Sequence, residues 1–149
     1  MIEILQIHEL SLADVATATR LMKLNNPGGV RISPAAWPGK ITARGARMYE
    51  QFTKYADGVG AMLAILAKYY DEERSRTIEK IVYRYGDTHV DITAYVNAVC
   101  VGCGIRARQE FPWRRETLHL IVSEMCRYEN KGRNPIIHPD LFAFVWLNF

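Results

Sequence analysis

The residues from Glu116 to Glu129 carry an apolar spacing that a helix buries along one side. At about 100° per residue, Leu118, Ile121, Val122 and Met125 share one face. Glu129 falls within about 30° of the centre of that face, whereas Glu124 lies roughly 110° away and Glu116 nearly opposite. This spacing predicts a helix whose last residue places a carboxylate at the end of its buried stripe. An acid in that position is costly unless it is protonated, paired or used. Its ordinary role would be an ion pair with Arg127, Lys131 or Arg133.

Other segments repeat the helical period. Ser11 can cap a helix running to about Lys23, with Leu12, Val15, Ala16, Thr19 and Met22 in register. Asn25-Asn26-Pro27-Gly28-Gly29 stops it. From Val30 to Tyr49 the pattern turns irregular, and Pro34, Pro38, Gly39 and Gly45 punctuate short extended pieces at Val30–Ile32 and Lys40–Thr42. A small hairpin lobe is expected there. Asp57 can cap a helix to about Glu73, striped by Val59, Met62, Leu63, Leu66 and Tyr70. Thr77 can cap a short helix bearing Ile78, Ile81, Val82 and Tyr85, which Gly86-Asp87 breaks. A further helix spans roughly Asp91 to Val101, with Ile92, Tyr95, Val96 and Val99 inside and Gly102 and Gly104 at its end. Pro139 suits the first turn of a last helix bearing Phe142, Val145, Trp146 and Phe149, which seals the core or meets a partner. The expected fold is mainly α (α+β): residues 1–149 as one helical domain with a small β-hairpin lobe near the N-terminus.

Composition narrows the function. A 149-residue chain that is 49% hydrophobic can bury a substantial core. Its formal net charge of +3 suits an anionic partner without requiring one. No Lys/Arg run is dense enough for a nucleic-acid footprint, so a helical nucleic-acid-binding module rests on charge and helix content alone. No segment reaches the ~18 consecutive apolar residues of a membrane span, and the start lacks the features of a secretory signal. Synthesis in the cytoplasm is expected. Cys100, Cys103 and Cys126 make an odd count, and Cys100-Val101-Gly102-Cys103 is a lone CxxC. Reduced, buried thiols are expected rather than a disulfide framework or a zinc site. His8, His89, His119 and His138 show no HxxxH or HExxH spacing, and no phosphate-loop or dinucleotide fingerprint occurs. Neither a metal nor a cofactor is expected.

Two stretches resemble known families. Asn25-Asn26-Pro27-Gly28-Gly29-Val30-Arg31, then Trp37-Pro38-Gly39, Phe52, Tyr55 and Asp57-Gly58-Val59-Gly60-Ala61, are similar to phage virion proteins with an "NNPGNIR…W.G…F…GIRA" pattern. Thr77, Ile78 and Ile81 resemble that family's next helix, Thr93, Tyr95 and Val96 the one after, and Glu129-Asn130 its final "ENG" segment. The match spans about residues 25 to 132. The Glu129 helix also resembles the one that ends in a catalytic glutamate in bacterial wall glucosaminidases and lytic transglycosylases. There, a segment similar to Asn25–Arg31 follows that helix, whereas here it precedes it. The resemblance implies a circularly permuted lysozyme-like domain. Three departures stand out. Tyr85-Gly86-Asp87 replaces a Trp and Pro, Lys131 is inserted between Asn130 and Gly132, and no clear second acid follows Trp37, Glu50 being nearest.

That resemblance implies cleavage of the peptidoglycan glycan strand at the MurNAc–GlcNAc bond, with Glu129 as the single catalytic acid. Asn25, Asn26, Arg31, Trp37, Tyr55 and Asn130 would bind substrate: flat faces from Trp37, Tyr49 and Tyr55 for sugar rings, amides and Arg31 for acetamido or lactyl groups. A raised carboxyl pKa is what the acid of such a reaction needs. Without a second acid, the muramic 6-hydroxyl can serve as nucleophile, as in a lytic transglycosylase. The protein would be virion-associated and act on the wall during genome delivery or host lysis. The alternative is a virion protein that keeps the fold for assembly without turnover, meeting other virion proteins through the apolar segment from Ile136 to Phe149.

Overall fold

The stripe ending at Glu129 does form a helix, and the helices around it build the fold expected. The computed structural model describes residues 19–42, 48–87, 89–133 and 137–149. It is mainly helical, with six helices among the described residues and one two-stranded antiparallel sheet.

Thr19 opens the described chain in an extended conformation. Its hydroxyl accepts the Met22 amide at 3.2 Å and caps a four-residue helix, α1 (Arg20–Lys23). The expected unbroken run through Thr19 therefore does not form, because that side chain serves as a cap. Ser11, Leu12, Val15 and Ala16 lie outside the described residues.

The turn that follows is built by its asparagines. Asn25 adopts a left-handed backbone, φ 56°, and its amide donates to the Phe52 and Thr53 carbonyls. Asn26 is buried, with its amide oxygen accepting from Val30 N and its nitrogen donating to Val30 O and Glu50 O. These bonds hold the chain beside the β lobe. There, Arg31 bridges Tyr49, and β1 (Lys40–Ile41) pairs with β2 (Gln51–Phe52) in the register Lys40↔Phe52. The lobe was expected to close by Tyr49, but the second strand lies just beyond it.

Helix α2 (Tyr55–Asp71) starts two residues before Asp57, with Lys54 at the cap position and no side-chain bond there. Strand β2 ends so close that the helix begins at once, and Asp57 falls in the first turn. Helix α3 (Ile78–Tyr85) is capped by Thr77, whose hydroxyl accepts the Lys80 amide. Helix α4 (Ile92–Cys103) is capped by Asp91 and ends at Gly104, φ 68°. Gly102, expected near the end, lies inside it. Helix α5 (Arg115–Glu129) carries the stripe, and α6 (Pro139–Asn148) has proline in its first turn.

One hydrophobic cluster draws on every helix and on Phe52 of β2. Helix α5 packs on α4, α4 on α3, and α2 on α6. Leu118, Ile121, Val122 and Met125 are all buried. Helix α6 buries Leu141, Phe142 and Val145 but leaves Phe144, Leu147 and Phe149 exposed. All three cysteines are free thiols. Cys126 is buried against Met62, and burial pushes the Cys103 thiol up to about 12. No helix among the described residues is long and apolar enough to cross a membrane.

Candidate active site

Glu129 ends α5 with its side chain 7% exposed. The Tyr95 hydroxyl, from the first turn of α4, donates to Oε2 at 2.8 Å. His89, from the loop between α3 and α4, places Nε2 at 3.1 Å from each carboxyl oxygen. The ordinary partners expected for this acid are not the ones it meets, and Arg127 pairs with Glu124 instead. Burial pushes the Glu129 carboxyl above its usual range, while His89, Tyr95 and Arg31 pull it back. Desolvation wins because the charged form has lost most of its water.

Aromatic packing fixes these partners. Tyr128 stacks on Tyr95 with ring centroids 4.3 Å apart and planes 18° from parallel. His89 sits edge-on to both, at 4.9 Å and 5.7 Å. Burial and then the charge of Glu129 raise the Tyr95 hydroxyl well above 10, so it remains a donor.

The Asn25–Arg31 turn closes over the acid. A Cβ on Gly29, φ 66°, would stand 3.4 Å from Glu129 Oε1 and 3.5 Å from the Tyr49 ring. Two clefts lie near this turn. One of about 420 Å³ is lined by Tyr49, Glu129, Arg20, Lys131 and Arg133. The other, about 440 Å³, is lined by Gly29, Arg31, Trp37, Lys68, Tyr69, Tyr85 and Asp87. The Arg31 guanidinium lies 5.9 Å from the centre of the Tyr49 ring, so a residue in the wall of one cleft meets a residue in the wall of the other. Both clefts carry several cations.

Lys131, between Asn130 and Gly132, finds a defined place. Lys131 N donates to Tyr128 O and Gly132 N to Arg127 O, closing α5 as a Schellman motif. Lys131 takes the left-handed position usually given to glycine, φ 57°. The turn is thus formed with lysine in that position, and Lys131 lines the cleft beside Glu129.

No family model and no curated protein matches the chain.

Of the expected site residues, Glu129, Arg31 and Trp37 line clefts. The other four are held in the framework. Tyr55 is buried in the core. The Asn25 amide nitrogen and both ends of the Asn26 amide bond backbone groups of the turn and β lobe. Asn130 borders the cleft but is buried. Its nitrogen donates to Pro27 O and Cys126 O, and its oxygen accepts from the Thr19 hydroxyl. Tyr55, Asn26 and Asn130, all buried, build the site without offering a polar group to a ligand. Glu50 is fully buried, ion-paired with Lys40 at 3.0 Å and accepting from Ser33 N, so it is not a second acid in the cleft. Among the described residues no cluster of three or more His, Cys, Asp or Glu side chains could hold a metal.

Sequence reasoning missed two residues. His89 entered it only as a histidine without metal spacing, and Tyr95 as a core residue and one of the residues of the resemblance, with no role at the acid. Neither stands at a helical interval from Glu129, so no local pattern links them.

Proposed function

We propose that the protein cleaves the glycan strand of peptidoglycan at the MurNAc–GlcNAc bond, with Glu129 as the single acid, in the manner of a lytic transglycosylase. The observation that carries this reading is the Glu129 carboxyl, poorly solvated and shifted toward its protonated form, in the wall of a cleft of about 420 Å³. The resemblance of Asn25–Arg31 and Glu129-Asn130 to phage and wall-lytic families supplies the substrate class. The cations Arg20, Arg31, Lys68 and Lys131 along the clefts suit the carboxylates of muramyl groups and their peptide stems.

The chemistry follows from the site. Protonated Glu129 gives its proton to the glycosidic oxygen as the bond to C1 breaks. The carboxylate left behind accepts hydrogen bonds from Tyr95 and His89. The muramic 6-hydroxyl then attacks C1, and its proton passes to Glu129. The product is a 1,6-anhydro sugar, and the acid is restored. Glu50 is sealed behind Lys40, which favours this route over one needing that residue as a second carboxylate. A virion would carry the protein to the wall.

Turbidity loss of outer-membrane-stripped cells tests the proposal. Glu129→Gln is expected to lower the rate by about 10²–10⁴-fold, the range for a lost general acid. Equal lysis by both proteins rejects Glu129 as the acid. Mass spectrometry of the products is expected to find anhydro ends, and reducing ends alone reject the transglycosylase route.

A second reading, a virion protein that binds without turnover, is favoured by the exposed Phe144, Leu147 and Phe149 on α6. Sedimentation with purified wall and no soluble product would support it.

A further inference from the structure

Glu129 has a hydrogen-bond partner in Tyr95, yet His89 reaches both of its oxygens at equal distance. One N–H placed between two oxygens holds the carboxyl plane better than a bond to either oxygen alone. The same atom can act in two ways. Protonated Nε2 donates to a carboxylate, and bare Nε2 accepts from a carboxylic acid. A hydrogen bond survives in both states, and the proton sits on one side or the other. Exposure differs across the pair, with the His89 side chain 26% exposed and the Glu129 side chain 7%. The imidazole is therefore the more open end, and Tyr95 and Tyr128 hold its ring at a fixed tilt.

We propose, resting on the glycan-cleavage reading above, that His89 is a positioning residue that holds Glu129 through both oxygens. The groups facing them are Tyr95 from α4, Cys126 and Tyr128 from α5, Tyr85 from α3, and Arg31 and Tyr49 from the β lobe. Arg20, Lys131 and Arg133 line the cleft beyond, and Asp87 precedes His89 by two positions. Arg31 and His89 act on Glu129 in the same direction, so removing His89 weakens the cationic pull without reversing it.

NMR titration of the Glu129 carboxyl tests the pairing without turnover. In the wild type, the carboxyl is expected to titrate above the usual carboxyl range. His89→Gln keeps a neutral N–H donor and removes the cation. Glu129 should then ionise at higher pH, and the alkaline limb of the pH–lysis profile should move up with it. The maximal rate should fall about 10-fold, because a flexible glutamine donor does not hold both carboxyl oxygens as the packed imidazole does. From the other side, Glu129→Gln should move the His89 ring resonances at fixed pH, because one of the two oxygens facing Nε2 is replaced by an amide nitrogen. This second arm holds even if His89→Gln folds poorly. Lysis by the wild type with the Glu129 titration unmoved in His89→Gln and the His89 resonances unmoved in Glu129→Gln overturns the positioning role and leaves the cleavage reading standing. Shifts in both variants with no lysis by the wild type at any pH overturn the cleavage reading and the positioning role with it.

Discussion

Glu129 sits where a charge is poorly tolerated, and stability should record this separately from activity. Its folded pKa is raised above the unfolded value, burial outweighing His89, Tyr95 and Arg31. Such a group contributes stability below its unfolded pKa and loses it as pH rises through the folded value. Above its unfolded pKa this acid is thus a strain on the fold, and Glu129→Gln relieves it. The variant is expected to melt above the wild type at pH 7, with the difference closing toward pH 4. Melting curves across that range check this, and a lower melting temperature at pH 7 would contradict it. Glutamine keeps the shape, accepts from Tyr95 and donates to His89, so the comparison isolates the charge. The awkward position was legible in the sequence, because the 100° period of α5 is local and Glu129 falls on its stripe. The partners were not. His89 stands 40 positions away and Tyr95 34, and only the packing of α4 on α5 brings them in.

Among elements, those with a local signal were readable and those set by tertiary contact were not. Thr77, Asp91 and Pro139 mark their helix starts because each solves the problem of unpaired amides within one turn. Asp57 looked the same but lost to the geometry of β2, which delivers the chain to α2 early. Asn26 and Tyr55 looked like ligand groups because composition near a turn does not reveal burial. The docking of α2 against the Asn25 turn depends on a close approach that the sequence marks only as glycine. A Cβ on Gly58 would lie 1.8 Å from Asn25 O, a backbone atom, whereas one on Gly60 meets nothing nearer than Val145 Cγ1 at 3.8 Å. These two glycines, two residues apart on one helix, should respond to alanine with opposite signs. Gly58→Ala must push the turn away from the helix and is expected to cost about 3 kcal/mol, at the upper end for overpacking. Gly60→Ala is expected to gain about 0.5–1 kcal/mol, since the helix interior favours alanine and space exists. Chemical denaturation of both variants checks the pair, and equal effects would reject the close approach as the cause.

At the scale of the whole molecule, the site exists because the end of α5 is tied to a turn more than a hundred positions upstream. Asn130 makes the tie. Its nitrogen reaches Pro27 O at 2.7 Å and Cys126 O at 2.6 Å, and its oxygen takes the Thr19 hydroxyl. The residue after Glu129 is the fastening, while Glu129 itself lines the cleft. Asn130→Asp tests this division because it changes one donor group and little volume. At neutral pH two buried carbonyls lose their donor and face a carboxylate, each unsatisfied group costing about 1–3 kcal/mol. A loss of about 3 kcal/mol is expected, or roughly 6–12 °C in melting temperature for a domain of this size. A buried aspartate facing carbonyls has a raised pKa, so its cost appears as pH rises through that value and shrinks in acid. Lysis below the melting temperature should also fall, since Gly29 would no longer be held against Glu129. Glu129→Gln and Asn130→Asp therefore affect adjacent residues and should both reduce lysis, yet shift stability in opposite directions at pH 7. If Asn130→Asp melts with the wild type at neutral pH, the tie does not hold the two parts together, and the cleft owes its shape to the hydrophobic core alone.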